Sequence, residues 1–269
     1  MKNLYRKARP YCKINLGLHV VGRRPDGYHD IETIFVPVRT IRDRITIHES
    51  ATPQMIQNGI TLDNAPEDNL CMRAWRLLHD MFGVPPVTIH LQKNIPFGAG
   101  LGGGSSDAAS TLQLLNERYL KLPRPILHEL AARLGADCPF FLYESATHAY
   151  ATGIGDQLET FQGLNLKKYR IVIGIPKGVH VSTKEAYAGL KPDLFGTPRP
   201  DLRKAILQPI EEWKHLIVND FESSVFPAYP AIAALKEEIY ARGALYASMT
   251  GSGAAVYGIF PAMDPDETI

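Results

Sequence analysis

Apolar and polar residues alternate from Ala8 to Val21. Cys12, Ile14, Leu16, Leu18 and Val20 fall in one register, and Lys13, Asn15, Gly17 and His19 in the other. A period of two is that of a β-strand, so Lys13 and Asn15 are predicted to project from the face opposite the aliphatic residues. Further strands are expected from Ile31 to Val38 and around Arg44 to His48. The turn chemistry of Arg23-Arg24-Pro25-Asp26-Gly27 ends the first of these strands. A meander built from the first residues points to an antiparallel or mixed sheet and away from an ordinary parallel dinucleotide-binding start. From Asn69 to Phe82 the spacing becomes helical through Leu70, Ala74, Leu77, Leu78 and Met81, with Gly83 as the stop. Pro86 to Gln92 alternates again (Val87, Ile89, Leu91) and reads as a strand.

A helix is expected from Ser105 or Ser106 to about Leu120, and another from Pro123 to Leu134. Gly135 to Phe141 reads as a short loop entering an apolar strand. Tyr169 to Ile175 is strand-like, and Ser182 to Leu190 a short helix capped by Ser182 or Thr183. The segment Lys191 to Pro200 holds three prolines and is expected to be a mobile loop. Pro227 to Arg242 reads as one helix stopped by Gly243, and two short strands flank Thr250-Gly251-Ser252-Gly253. The pattern suggests two lobes, 1–156 and 157–269, with ligands between them.

The stretch between the strand at Pro86–Gln92 and the next helix breaks both periodicities. In Ile95 to Leu115, Gly98, Gly100, Gly102, Gly103 and Gly104 fall within seven positions and are followed by Ser105, Ser106 and Asp107. Glycine tolerates positive φ and lets backbone amides approach a ligand closely. The unpaired N–H groups of a following helix, together with its dipole, favour an anion. A Walker A loop requires a lysine after the glycines, and none is present. A dinucleotide fingerprint requires an acidic residue about twenty positions on, and Glu117 is too near. A flexible glycine linker is the plainer alternative, but linkers seldom run into an amphipathic helix. The loop is therefore read as an anion cradle.

Composition sets the remaining bounds. The 269 residues are 45% hydrophobic and 21% charged with a net charge of +1, as in a soluble globular protein without a dedicated nucleic-acid or membrane surface. Cys12, Cys71 and Cys138 lack metal-ligand spacing and read as small buried hydrophobes. Neither a signal-peptide core nor a membrane-length apolar run is present, so a cytoplasmic location is expected.

The run Pro96-Phe97-Gly98-Ala99-Gly100-Leu101-Gly102-Gly103-Gly104-Ser105-Ser106-Asp107 resembles the ATP loop of the GHMP small-molecule kinases. Its doubled Gly-Gly-Ser-Ser-Asp ending resembles the branch whose acceptor is a cytidine diphosphate-linked methylerythritol. Thr250-Gly251-Ser252-Gly253-Ala254 resembles the third motif of the same family, and the resemblance runs from about Ala8 to Phe260. It implies an α+β fold of two lobes, mixed and antiparallel sheets with helices, and an active site in the cleft between lobes. It also implies phosphorylation by ATP, with Mg2+, of the 2-hydroxyl of that acceptor in the non-mevalonate route to isoprenoid precursors.

Candidate roles follow residue by residue. Asp137 lies in an apolar neighbourhood that is unfavourable for a carboxylate without a partner or a task; from the residues alone it is a proton acceptor or a turn cap. Gly135-Ala136-Asp137-Cys138-Pro139-Phe140-Phe141 resembles the family stretch that carries the catalytic aspartate. Lys13 is a solvated strand lysine or the partner that orients the acceptor hydroxyl and damps its developing charge; Lys13-Ile14-Asn15-Leu16 resembles the family's Lys-x-Asn-Leu, which adds Asn15 as a substrate contact. Asp26-Gly27-Tyr28-His29 resembles the family's contribution to a cytidine pocket, with Tyr28 offering a ring face and His29 polar groups. Val181-Ser182-Thr183 with Tyr187 resembles the segment that supplies a second aromatic wall, although Tyr187 is equally readable as a core residue. The magnesium ligands are open, with Ser105 or Ser106 as candidates. Asn219-Asp220-Phe221-Glu222 also resembles a family stretch but carries no assigned chemistry. Rival readings are a GHMP kinase acting on homoserine, mevalonate or a sugar, and a non-catalytic binding protein on the same fold. A serine hydrolase fails for want of Gly-x-Ser-x-Gly spacing.

Overall fold

The computed structural model describes residues 6–61, 65–142, 148–191, 194–195 and 199–262. Part of the expected mobile loop, Pro192, Asp193 and Gly196 to Pro198, lies outside them. The strands are β1 (Arg6–Ala8), β2 (Tyr11–Arg23), β3 (His29–Arg42), β4 (Arg44–Glu49), β5 (Gln54–Gly59), β6 (Val87–Lys93), β7 (Ala149–Thr152), β8 (Gln157–Thr160), β9 (Tyr169–Gly174), β10 (Tyr246–Met249) and β11 (Val256–Pro261). The α-helices are α1 (Leu70–Phe82), α2 (Gly103–Leu115), α3 (Arg124–Leu134), α4 (Cys138–Phe141), α5 (Thr183–Ala188), α6 (Leu202–Ala205), α7 (Trp213–Leu216), α8 (Glu222–Ala228) and α9 (Pro230–Ala241). The chain divides into two compact units. One comprises Met1–Lys13, Pro37–Phe97 and Gly102–Ala146, and the other Ile14–Val36, Gly98–Leu101 and Thr147–Ile269.

The first unit is built on a sheet ordered β1-β4-β6-β5. β1 and β6 pair antiparallel with β4, whereas β5 runs parallel to β6. The parallel pair follows from its connection: α1 lies between β5 and β6 and supplies the crossover that such a pair requires. Ile45, Ile47, Ile89 and Leu91 are buried in this sheet. α1 is capped at both ends. Asn69 Oδ1 accepts from the Cys71 amide, and Gly83, at φ 71°, returns its N–H to the His79 carbonyl, a glycine C-cap in the left-handed region. Its buried stripe is Cys71, Ala74, Trp75 and Leu78, rotated from the expected one, because the Trp75 ring turns inward and its Nε1 donates to the Pro85 carbonyl at 3.0 Å. Met81 is left exposed. α1, α2 and α3 pack on one another, and α4 packs on α2 and α3.

The second unit holds an antiparallel sheet β10-β11-β9 and a sheet β2-β3-β7-β8. Its core joins Leu18, Val20, Val181, Phe221, Ile232, Ile239, Met249 and Val256. No helix among the described residues is long and apolar enough to cross a membrane.

Three expected elements are corrected. α2 begins at Gly103, two residues before Ser105, so the glycine run enters the helix. Cys138-Pro139-Phe140-Phe141 forms the one-turn helix α4 in place of the expected loop and strand start; proline suits a first helical turn, and a four-residue apolar run does not distinguish strand from helix. Pro227 to Arg242 is two helices. Pro230 disfavours the helical region for Tyr229, which sits at φ −132°, ψ 72°, so α8 ends there and α9 restarts with proline in its first turn.

Candidate active site

The alternation in β2 leads to an unexpected environment, for every residue from Cys12 to Val20 is buried. Its polar members face the interior. Lys13 is only 3% exposed, and an ammonium so desolvated requires a partner. Its Nζ stands 3.3 Å from Asp137 Oδ2, on a carboxylate that keeps 30% of its side-chain surface. Asp137 occupies the N-cap position of α4, yet its side chain caps no amide there. The turn-cap alternative is therefore not the geometry adopted. Beside it, burial pushes the Cys138 thiol up to about 12, against a bond with Ser105, so Cys138 is a neutral thiol and no nucleophile.

The end of the glycine loop lies directly on Lys13. Gly102 has φ +68°, and a Cβ there would stand 3.1 and 3.2 Å from Lys13 Cγ and Cε and 3.0 Å from Phe141 Cζ. The position thus excludes a side chain twice over, by left-handed backbone and by contact. α2 starts at the next residue, with the Ser106 amide donating to the Gly102 carbonyl at 2.9 Å. The amides of Gly103, Gly104 and Ser105 precede any carbonyl four residues back within the helix, and no side chain caps them. Ser105 is half-buried and Ser106 buried.

Beneath α2 is a buried ion cluster that the sequence reading does not single out. Lys93 ends β6, is 1% exposed, and donates through Nζ to Asp43 Oδ2 and, at 2.8 Å, to Asp107 Oδ2. Asp107 Oδ1 is buried without a hydrogen-bond partner. A signal for Lys93 exists: it continues the register of Val87, Ile89 and Leu91, which is the buried face. Burial pulls the Lys93 ammonium down, but Asp107 and Asp43 together hold it above its ordinary value. Burial pushes the Asp107 carboxyl up to about 8, Lys93 opposing and Asp43 adding to the rise. The groups facing it are Lys93 of β6, Asp43 between β3 and β4, and Cys71 of α1. Since a free carboxyl titrates near ~4, the folded protein retains a proton that the unfolded chain gives up. The stability from this group is complete below about pH 4 and is lost as pH rises to about 8. Urea titrations between about pH 5 and about pH 9 are expected to show that decline, and Asp107→Asn, which does not ionise, is expected to flatten it.

In the second unit Gly98 to Leu101 of the loop meet the third motif. Ala99 and Leu101 are buried anchors, whereas Phe97 and Gly98 are exposed and Pro96 is half-buried. Gly100 has φ +75°, and a Cβ there would fall 2.0 Å from the Thr250 carbonyl oxygen. Thr250 Oγ1 lies 3.2 Å from the Gly100 carbonyl oxygen, and the Ala255 amide donates to the Ala99 carbonyl at 3.2 Å. Asn15 is held in the same interior. Its amide donates to Thr250 Oγ1 at 3.0 Å and its Nδ2 to Thr33 Oγ1 at 3.0 Å, while Tyr257 donates to its carbonyl at 2.9 Å.

The run Asn219-Asp220-Phe221-Glu222 proves to be the scaffold of this turn. Asn219 Nδ2 donates to the carbonyls of Met249 and Gly251, each at 2.8 Å. Glu222 Oε1 accepts from the Met249 amide at 2.8 Å and Ser248 Oγ at 3.0 Å, and its other oxygen meets Lys236 at 2.6 Å. Asp220 pairs with Arg199 and accepts from the Val20 amide at 2.7 Å.

The aromatic candidates are only partly brought together. His29 stacks on Tyr187 with centroids 4.5 Å apart and planes at 19°, and Tyr187 meets Phe221 edge-on at 4.7 Å. Burial, then Arg23, lowers the His29 pKa, favouring the neutral ring. Tyr28 stands apart from that stack with 62% of its surface exposed, its amide bonded to Asp26 Oδ1 at 3.0 Å. Thr183 Oγ1 is 2.9 Å from Ser252 Oγ, which ties α5 to the third motif.

Comparison with known proteins adds to this geometry. Residues 69–145 match the GHMP kinases N terminal domain, and residues 200–269 match GHMP kinases C terminal. The chain is 47% identical over 254 residues to the 4-diphosphocytidyl-2-C-methyl-D-erythritol kinase of Azobacteroides pseudotrichonymphae genomovar. CFP2, covering 94% of this chain and 92% of the relative. It is 46% identical over 265 residues to the kinase of the same name from Bacteroides thetaiotaomicron, covering 97% and 93%. Among solved structures, a 4-(cytidine 5'-diphospho)-2C-methyl-D-erythritol kinase aligns with TM-score 0.76 at 33% identity, covering 97% of this chain and 91% of the other. A homoserine kinase from Cytophaga hutchinsonii, at 15% identity and TM-score 0.67 over 96% and 86% of the two chains, shares the fold. From matches that span nearly its whole length, the chain belongs to the GHMP kinase family, in the branch of the 4-diphosphocytidyl-2-C-methyl-D-erythritol kinases.

Proposed function

We propose that the protein transfers the γ-phosphoryl group of ATP to the 2-hydroxyl of 4-diphosphocytidyl-2-C-methyl-D-erythritol, giving the 2-phosphate and ADP. The reaction belongs to the non-mevalonate route to isoprenoid precursors. The observation that carries the catalytic part is the Lys13–Asp137 pair at 3.3 Å, its lysine packed against Gly102 at the head of α2. Asp137 accepts the hydroxyl proton as the acceptor oxygen bonds to the γ-phosphorus and the bond to the β-phosphate oxygen breaks. Lys13 orients that oxygen and stabilises the charge it develops. The amides of Gly103, Gly104 and Ser105 receive phosphate oxygens at the positive end of the α2 dipole.

The exposed ring of Tyr28 supplies a face for the pyrimidine, and His29 and Tyr187, already stacked on each other, form a firm edge beside which Thr183 adds a hydroxyl. Asn15 serves by holding Thr250 and, through it, the carbonyl of Gly100. No group of three or more metal-ligating side chains exists among the described residues. That donor set suits a magnesium ion that arrives on ATP with only a hydroxyl to add, and half-buried Ser105 fits better than buried Ser106. Bound there, Mg2+ would neutralise phosphate charge.

The test is ADP release from MgATP with the cytidyl acceptor, run beside homoserine and mevalonate. Turnover of the cytidyl acceptor alone is the expected result. Turnover of homoserine or mevalonate in its place would assign the chain to another acceptor, and no turnover with any of them would leave a nucleotide-binding protein.

A further inference from the structure

The cluster of Asp43, Lys93 and Asp107 touches both ends of the glycine loop. At the entry, Asp43 Oδ1 accepts from the amides of Asn94 and Ile95, at 2.5 and 2.8 Å. Its other oxygen takes Lys93 Nζ, which also holds Asp107 in the second turn of α2. A Cβ at Gly103 would stand 3.0 Å from Lys93 Nζ and 2.7 Å from Ile95 Cγ2, so the first residue of the helix rests on the lysine head and on the loop's own entry residue. The side chains of Lys93, Asp43 and Asp107 are 1%, 0% and 3% exposed. One ion cluster, out of water, therefore spans the chord that the loop from Pro96 to Gly102 closes.

We infer that Asp43, Lys93 and Asp107 form a buried tie that sets the spacing between the two ends of the nucleotide loop, making Lys93 and Asp107 positioning residues for ATP. This rests on the reading of the loop as the ATP site. The physical argument is pre-organisation. The three amides at the head of α2 bind phosphate well only if their direction is fixed before the ligand arrives, and glycines alone do not fix it. The tie supplies the rigidity that the loop's composition removes. Its partners are separated by 50 and 14 positions in the chain, so it joins segments that the glycine run would otherwise leave free to drift. Asp107 is the better residue to change, because Lys93 then keeps Asp43 and no buried charge is stranded.

The experiment measures ADP affinity by calorimetry and the KM values of both substrates for wild type, Asp107→Ala, Asp107→Asn and Thr111→Val. Thr111 lies one turn further along α2, is fully buried, and donates to the Asp107 carbonyl at 2.9 Å, so its variant loosens the same helix without cutting the tie. Asp107→Ala is expected to weaken ADP and raise the KM for ATP about tenfold or more, with the acceptor KM unchanged. Asp107→Asn, whose amide oxygen still accepts from Lys93, is expected to recover most of that loss. Thr111→Val is expected to lower the melting temperature and leave both KM values as they were. Wild-type nucleotide affinity in Asp107→Ala, or an equal loss in Thr111→Val, would overturn the inference and reduce the cluster to core stabilisation. Should Asp107→Ala not fold, Lys93→Arg keeps both ion pairs with a longer tie and is expected to show the same selective loss for nucleotide; unchanged affinity there would overturn the idea equally. Because ADP binding is read directly, a wild type that binds ADP without phosphorylating the cytidyl acceptor would refute the acceptor assignment and still test the tie.

Discussion

Asp137→Asn is expected to lower kcat with the cytidyl acceptor by about 10²–10⁴-fold, the usual contribution of a positioned general base, with little change in the KM for ATP. The substitution is nearly isosteric. An asparagine oxygen still accepts from Lys13 Nζ, now 3.3 Å from the carboxylate, so the pair's geometry is retained while the proton acceptor is lost. The carboxylate's partial exposure beside a nearly enclosed lysine suits the proposed division of labour, with Asp137 open to an acceptor and Lys13 held behind it. Phosphoryl transfer passes through a loose transition state that asks little of a base, which places the expected loss toward the lower end of the range. Steady-state kinetics on purified wild type and variant decide the matter, with ADP affinity as the check on folding. Full activity in Asp137→Asn would remove the base assignment and leave Asp137 as an anchor for Lys13.

Lys93→Met is expected to cost about 3–5 kcal/mol of folding stability at about pH 9, above the Asp107 value of about 8, where both carboxylates are ionised; that is the usual consequence of removing one member of a buried ion pair. The apolar stem is replaced without difficulty; the damage is to the two carboxylates left behind. Asp43 and Asp107 are both nearly inaccessible, and without the ammonium they repel in a medium that screens them poorly. Asp43 keeps the amides of Asn94 and Ile95, so Asp107 is the carboxylate that loses most. Part of the loss is expected to return on acidification, as protonation replaces the missing cation, and in Lys93→Met/Asp107→Leu, which removes the stranded charge. Urea denaturation of the single and double variants measures both effects as a non-additive cycle. A single variant as stable as wild type would mean that the cluster contributes nothing net.

The aromatic residues show how far local reading reaches. Tyr28, His29 and Tyr187 were legible as a group because their motifs resemble one family segment each. The stacking of His29 on Tyr187 was not, since it joins residues 158 positions apart (187 − 29) whose contact no periodicity encodes. The same holds for Asn219 and Glu222, read as a family stretch without chemistry. Their side chains carry the glycine turn at Thr250–Gly253 through bonds to Met249 and Gly251, and backbone acceptors leave no trace in the side-chain pattern.

Local geometry, and the chemistry available to it, is written in the order of the residues. The β2 alternation set Lys13 on a defined face, the glycine run marked a backbone able to receive an anion, and the motifs carried the GHMP kinase family and ATP. What covers each face, and which distant charges meet, is settled by folding. The polar face of β2, which periodicity alone reads as outward, is inward, and Lys13 there finds Asp137. Lys93 sat in plain register with Val87, Ile89 and Leu91, yet its partners come from a strand junction and a helix elsewhere in the chain. The reason is physical: period and propensity are fixed by bonds between near neighbours, whereas a buried charge is tolerated only by a partner that folding alone brings within reach.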